Sequence, residues 1–290
     1  MVVNNAIILA AGKSTRFAPF TYERPKGLFR VKGEILIERQ IDQLIEAGLK
    51  EIYIVVGYMK EKFFYLERKY SQVHLLINNK FGEKGNLYSL YVAKDYLKNS
   101  YVSYADYYFT SNPFLEDLGE CGKLSDNSSY HACVYRQGKF NEFSCRHSDA
   151  NVITHVDHGG CDQLAMVGHA YFNESFSKKF VEYMEREICE FRVSSLFWEE
   201  FFERHIKDVT LYSKQLNEGA LFEFNTIDDL RQFDSDFLYN VDSDIIKNIC
   251  DTLRCNPNAI KDIAVINAGL TNVSFKFTVE GVEYVYRHPG

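Results

Sequence analysis

The chain has 290 residues, 46% hydrophobic and 25% charged, with a net charge of −7, the make-up of a globular protein able to build a large core. Its Lys and Arg residues are dispersed, which argues against nucleic acid, whose phosphate backbone requires a basic stripe. No apolar run approaches the roughly 20 residues of a bilayer span, and the N-terminus MVVNNAIILAAG lacks the basic flank and cleavage site of a signal peptide.

The first element is Ala6 to Leu9, a continuous apolar run ending in a Gly-containing turn, as expected of a parallel strand covered on both faces. Ile35, Leu36, Ile41, Leu44 and Ile45 recur at helical spacing, Gly48 supplies the stop, and Ile52 to Val56 form a second β-branched run. A helix over 60–70, a strand from His74 to Ile77, a helix from Leu87 to Leu97 and a strand from Tyr101 to Ala105 continue the alternation. Strand and helix in turn predict an α/β fold, a Rossmann-like, mostly parallel sheet with helices on both faces.

Beyond residue 110 the pattern is mixed. Strands are expected near Tyr130–Tyr135 and Met166–Tyr171, and helices near Glu174–Glu190 and Ser195–His205. Polar residues from Asp234 to Asp244 mark a junction, so the expected domains are 1–235 and 236–290. After the junction come a short helix, Ile245 to Leu253, and a β-hairpin, Ser274–Val279 and Glu283–Tyr286, with Glu280-Gly281 as its tight turn. Seven cysteines, at 121, 133, 145, 161, 189, 250 and 255, form no CxxC pair. A reducing, cytoplasmic setting is expected.

From Leu9 to Lys26 the sequence reads LAAGKSTRFAPFTYERPK. A Gly-containing loop after a buried strand lets backbone N–H groups approach a triphosphate, and Lys13, Arg16 and Lys26 supply charge against it. The spacing matches neither GxGxxG nor GxxxxGK[ST]. A Gly turn with solvated cations is the plainer alternative.

The whole stretch, with Leu28, resembles LAAGxxxRFxPxTxxxPKxL, the signature loop of the nucleotidyltransferases that make NDP-sugars and CDP-alcohols. Within that family VVGYMKEKFFYLERKY (55–70), GNLYSLYVAKDYL (85–97), NSYVSYADYYF (99–109) and VYRQGKFNEF (134–143) resemble the bacterial CTP:phosphocholine cytidylyltransferases. The likeness covers residues 1 to about 235. It implies transfer of CMP from CTP to phosphocholine, with pyrophosphate released and Mg2+ as cofactor. It further implies catalytic roles for Lys26, Arg16 and Asp106, and nucleotide binding by Leu9, Ala10, Ala11, Gly12, Lys13, Tyr58, Asn86 and Ser89.

The family's second metal carboxylate lies in a motif like E-I-D-[ST], matched here by Glu223-Phe224-Asn225-Thr226. The implied metal ligands are therefore Asp106, Glu223 and Asn225. Asn225 stands where most members carry aspartate, although a branch making UDP-N-acetylglucosamine also uses asparagine. An amide oxygen can coordinate magnesium but brings no charge.

A quaternary ammonium donates no hydrogen bonds and needs an aromatic wall with a carboxylate nearby. The family's acceptor motifs, NEW and LYWD in its phosphocholine members, correspond to Asn141-Glu142-Phe143 and Leu196-Phe197-Trp198-Glu199. Tyr107, Glu142, Phe143, Phe197, Trp198 and Glu199 are the implied acceptor residues, with core packing the alternative for Trp198. His155-Val156-Asp157-His158-Gly159-Gly160-Cys161 fits no common zinc spacing, and its glycines suggest a hairpin tip.

Residues 264–290, AVINAGLTNVSFKFTVEGVEYVYRHPG, resemble the opening hairpin of choline kinases, which implies a fusion of consecutive enzymes. The segment stops before any catalytic HxD motif. Three alternatives stay open: the same chemistry on phosphoethanolamine, 2-aminoethylphosphonate or a sugar 1-phosphate; UTP in place of CTP; or a weakly catalytic nucleotide-binding domain serving the kinase. A homodimer is a further expectation.

Overall fold

The computed structural model describes residues 3, 5–120, 128–266 and 272–289. The chain begins with β1 (Asn5–Ala10), β2 (Arg30–Val31), β3 (Glu34–Ile35), α1 (Leu36–Glu46), β4 (Ile52–Val56), α2 (Tyr65–Lys69), β5 (Val73–Ile77), α3 (Asn86–Val92), β6 (Ser100–Tyr104) and β7 (Tyr107–Phe109). Next come α4 (Pro113–Glu120), β8 (Tyr130–His147), β9 (Ile153–Ala165), β10 (Ala170–Phe172), α5 (Glu174–Glu187), α6 (Phe191–Ser194), α7 (Trp198–Arg204), β11 (Tyr212–Gln215) and β12 (Leu221–Glu223). It ends with α8 (Ile227–Phe233), α9 (Phe237–Asn240), α10 (Asp244–Leu253), β13 (Ile260–Val265), β14 (Asn272–Val279) and β15 (Val282–Pro289). These divide into two compact units, residues 1–12 with 39–223 and residues 13–38 with 224–290.

The first unit is built on an eight-stranded sheet in the order β11-β8-β10-β6-β1-β4-β5, with β9 paired to β8. β1 runs parallel to both β4 and β6, and β4 parallel to β5. The order reverses at β1: successive strands go to one side through β4 and β5, then to the other at β6. Such a switch point opens a crevice at the carboxyl ends of the strands, where Ala10, Val56 and Tyr104 end their runs. Ile7, Ile8, Ile54 and Val55 are fully buried, as strands sandwiched by helices must be. Leu87 and Leu90 of α3, Phe180 of α5 and Phe201 and Phe202 of α7 pack into the same core, each large apolar side chain contributing about 1.5–3 kcal/mol by leaving water.

In the second unit, Phe20 and Phe29 pack against Phe237 with ring centroids 5.4 and 5.9 Å apart, and Phe17 stands edge-on to Phe29. α10 follows, capped by the Ser243 side chain, which accepts from the Ile246 amide at 3.1 Å. β13, β14 and β15 then form an antiparallel sheet. Glu280 and Gly281, both with positive φ, make the β14–β15 turn, the geometry a two-residue hairpin needs. The expected α/β class, C-terminal helix and hairpin are all present.

Four local expectations are corrected. The strand expected at 130–135 extends to His147, because a long ribbon continues through its polar stretch. The Gly159-Gly160 pair lies inside β9 and the ribbon reverses at residues 148–152; a Cβ on Gly160 would come within 2.4 Å of the tips of the Phe140 and Gln163 side chains, which would have to move aside. The strand expected from Met166 begins only at Ala170, since Gly168, at φ 143, breaks the extended chain against Ala132. Finally, β13 adds a third strand that its exposed Lys261 and Asp262 concealed.

Candidate active site

In the first unit the carboxyl ends of the central strands are tied together by backbone bonds. The Ala105 amide donates to Leu9 O at 3.0 Å and the Tyr58 amide to Ala11 O at 3.1 Å. This puts Ala10, Ala11, Gly12 and Tyr58 on one rim. A Cβ built on Gly12 would meet nothing within 4 Å, so protein packing does not demand glycine there. Asp106 follows β6, half-buried. The β7–β12 pairing sets Glu223 opposite Tyr107, the residue after Asp106. Burial first, then the charges of Glu223 and Asp106, hold the Tyr107 phenol well above its usual pKa. Two carboxylates thus gather beside a neutral phenol.

Asn86 opens α3, and both ends of its side chain are used. Oδ1 accepts from the Trp198 amide at 2.8 Å, and Nδ2 lies 2.6 Å from Tyr104 Oη. That hydroxyl donates to Glu199 Oε1 at 2.6 Å. Ser89 is buried and its hydroxyl accepts from Asn78 Nδ2 at 2.9 Å. Glu199 is only 2% exposed and its Oε2 has no protein partner. Burial pushes its carboxyl up to about 7, partly offset by the bond from Tyr104. The start of α3 meets the end of α6 and the α6–α7 connection through the backbone. Gly85 N donates to Ser194 O and Leu87 N to Leu196 O, and a Cβ on Gly85 would stand 2.1 Å from Leu196 O. Only glycine permits that approach.

Phe197, 44% exposed, precedes α7, and its ring lies 5.5 Å from that of Phe143 on β8. Phe143 also meets the His158 ring edge-on at 4.8 Å. Glu142 is the residue before it, half-exposed on the same ribbon. Trp198 is placed differently from the aromatic wall expected of it. One face stacks on His131 at 5.4 Å, Phe172 stands against the ring at 5.3 Å, and the side chain is 1% exposed. Both contacts are core contacts, so no face is open to a cation.

The second unit carries the rest of the signature loop. Lys13 and Arg16 are exposed on it. Lys26 is 5% exposed; its Nζ donates to Phe224 O at 2.5 Å and sits 4.3 Å over the Phe17 ring. The lysine is thereby fastened to the residue just before Asn225. The Asn225 and Thr226 amides both donate to Asp229 Oδ2, at 2.9 and 2.8 Å, while Thr226 Oγ1 accepts from the Asp229 amide. This capping box fixes the backbone of Asn225 at the mouth of α8.

The model of the MobA-like NTP transferase domain matches residues 6–174. The chain belongs to this nucleotidyltransferase family. A choline-phosphate cytidylyltransferase of Streptococcus pneumoniae is 34% identical over 229 residues, 79% of this chain and 96% of that enzyme. A 2-aminoethylphosphonate cytidylyltransferase of Lancefieldella rimae is 32% identical over 81% of this chain and 94% of its own length. The solved structure of the CTP:phosphocholine cytidylyltransferase from Streptococcus pneumoniae superposes with a TM-score of 0.74 at 32% identity, over 81% of this chain and 99% of that one. The protein is accordingly an enzyme of the nucleotidyltransferase class.

One residue that the structure joins to the candidate residues of this nucleotidyltransferase was absent from the sequence reading. Tyr104 links Asn86 to Glu199, and its place as the last residue of β6, at the carboxyl end of a central strand, is the signal that points to it. His155, weighed above as a zinc ligand, has both ring nitrogens against carboxylates, Glu203 at 2.5 Å and Asp157 at 2.9 Å. No helix among the described residues is long and apolar enough to cross a membrane.

Proposed function

We propose that the protein transfers the CMP group of CTP to phosphocholine, giving CDP-choline and pyrophosphate. The observation that carries this reading is Glu199: a buried carboxylate with one unpartnered oxygen, in the same helical turn as Phe197, whose ring pairs with Phe143. A buried carboxylate is costly without a counter-charge, and a cationic headgroup brings one. Trimethylammonium spreads its charge over methyl groups and loses little against aromatic rings, whereas a primary ammonium forfeits hydrogen bonds. Phe143 and Phe197 therefore favour phosphocholine, by about tenfold if both rings contribute.

An acceptor phosphate oxygen attacks the α-phosphorus of CTP in line as the bond to the pyrophosphate oxygen breaks. That oxygen is already ionised, so no general base is needed. The work of the chain is positioning and charge neutralisation, by Lys26, Arg16 and the amides of Ala10, Ala11 and Gly12. Bare backbone at Gly12 leaves room for a phosphate to approach. Asp106 and Glu223 offer the hard oxygen donors that Mg2+ takes, and the family motif adds Asn225. Bound there, magnesium would neutralise charge on the phosphates.

A second reading, 2-aminoethylphosphonate as acceptor, is favoured by the Lancefieldella relative and by the same free Glu199 oxygen, which would accept from a primary ammonium. The kinase-like reading of residues 264–290 belongs here too, supported by its motif and by the β14–β15 hairpin. One assay separates the acceptors and bases: pyrophosphate release over four NTPs crossed with phosphocholine, phosphoethanolamine, 2-aminoethylphosphonate and a sugar 1-phosphate. CTP with phosphocholine is expected to be fastest. Preference for a primary amine would move the acceptor assignment, and no turnover with any pair would leave only a nucleotide-binding role.

A further inference from the structure

Glu203 lies near the end of α7, the helix whose first turn carries Trp198 and Glu199, and its carboxylate reaches across to β9. Oε1 lies 2.5 Å from His155 Nδ1, and Oε2 accepts from the Val156 amide at 2.7 Å. His155 Nε2 is 2.9 Å from Asp157 Oδ1, and Arg146 of β8 is 3.4 Å from the other oxygen of that carboxylate. One side chain of α7 is thus bonded to β9, and the contacts run on through His155 and Asp157 to Arg146 of β8.

The ribbon needs such a point of attachment. Its pairing shifts register at several steps between Arg136 and His147; pairing with His158 and the bond from the Met166 amide hold Phe143 within the ribbon, but strand pairing does not by itself set the ribbon's distance from α7. The pairing puts Phe143 opposite His158 and Arg146 opposite His155. The bonds to Glu203, at Val156 and His155, therefore fall two and three residues along from Phe143. The Val156 amide makes a charge-assisted bond in fixed geometry, and Glu203 is partly buried, which separates it from a solvated surface ion pair.

We infer that Glu203 is a positioning residue for acceptor recognition: by gripping His155 and the Val156 amide it sets the distance between Phe143 on the ribbon and Phe197 at the start of α7. This rests on the reading of those two rings as the acceptor wall. Glu203 touches no substrate itself. Its effect is confined to how well two rings flank one headgroup, and so to acceptor affinity.

The test compares Glu203→Ala, Glu203→Gln and His155→Ala in steady state, varying acceptor and CTP separately. Glu203→Ala should raise the acceptor KM about fivefold or more, the worth of one well-placed aromatic contact, while kcat and the CTP KM stay within about twofold. Glu203→Gln keeps an oxygen for the Val156 amide and an NH2 for the imidazole, and should restore the acceptor KM to near the wild-type value. His155→Ala, which spares the Val156 bond, should fall between. Trp198, the single tryptophan and a member of the same helix, gives an emission spectrum that checks folding. An unchanged acceptor KM in Glu203→Ala overturns the inference, as does a parallel fall in kcat and CTP affinity that Glu203→Gln fails to rescue. Wild-type protein that ignores phosphocholine refutes the acceptor reading instead, and the variants are then scored with whichever acceptor it uses.

Discussion

Glu199→Gln keeps the shape of a buried side chain and removes its charge. With its carboxyl raised from 4.5 to about 7, ionising Glu199 inside the fold costs about 3 kcal/mol relative to water. Because the folded value lies above the unfolded one, the stability this group contributes is full below about 4.5 and is lost as pH rises to about 7. A cationic acceptor binds the ionised form, so acceptor affinity should rise with pH up to about 7 and level off above it. Near pH 6 about a tenth of the molecules are ionised, which makes binding roughly tenfold weaker than near pH 8. The acceptor phosphate also titrates, near pH 6, but does so equally with both proteins. The assay is kcat/KM for phosphocholine from pH 5.5 to 8.5, wild type beside Glu199→Gln. The variant should be weaker by about tenfold at high pH and should lose only the wild-type step near 7. Superimposable profiles would refute Glu199 as the counter-charge.

Lys26→Ala or Asp106→Asn should lower turnover at least about a hundredfold, close to 3 kcal/mol at the transition state, with near-wild-type circular dichroism; near-normal kcat in both would displace the site. Asn225→Asp should preserve or tighten the magnesium dependence of the initial rate, and complete loss of activity in folded protein would show that the amide is needed for another contact. Asp117, 3% exposed and joined to His169, Tyr130 and Lys214, is pushed up by burial but pulled further down by His169 and Lys214, to about 2. Its folded value lies below the unfolded 3.8, so it contributes about 2 kcal/mol above that pH, lost as pH falls towards 2. Asp117→Ala should cost about 3–5 kcal/mol in denaturant unfolding by stranding the buried His169 and the half-buried Lys214; a loss under about 1 kcal/mol would contradict the pairing.

Much of the catalytic half was legible before any coordinates. Ala6 to Leu9, Ile52 to Val56 and the residues of α1 carry their burial in their periodicity, because a strand or helix facing a core repeats its apolar positions locally. The family signature from Leu9 to Lys26 was equally readable, since such a motif is one contiguous segment with fixed spacing. The ribbon was not. β8 and β9 hold polar and apolar residues in a broken alternation, their register passes through several bulges, and β9 is bonded to Glu203 from a helix 47 positions beyond Val156.

What the sequence by itself determined is the α/β class, the signature loop and the identity of the charged groups, all of which rest on local spacing. Only the tertiary structure decided which of those groups face a neighbour. It turned Trp198 into core against His131 and Phe172, spent both ends of Asn86 on Trp198 and Tyr104, and left Glu199 buried with a free oxygen. The physical reason is that burial and hydrogen-bond satisfaction are properties of contacts between distant segments, such as Gly85 against Leu196, and no local pattern encodes which distant backbone arrives.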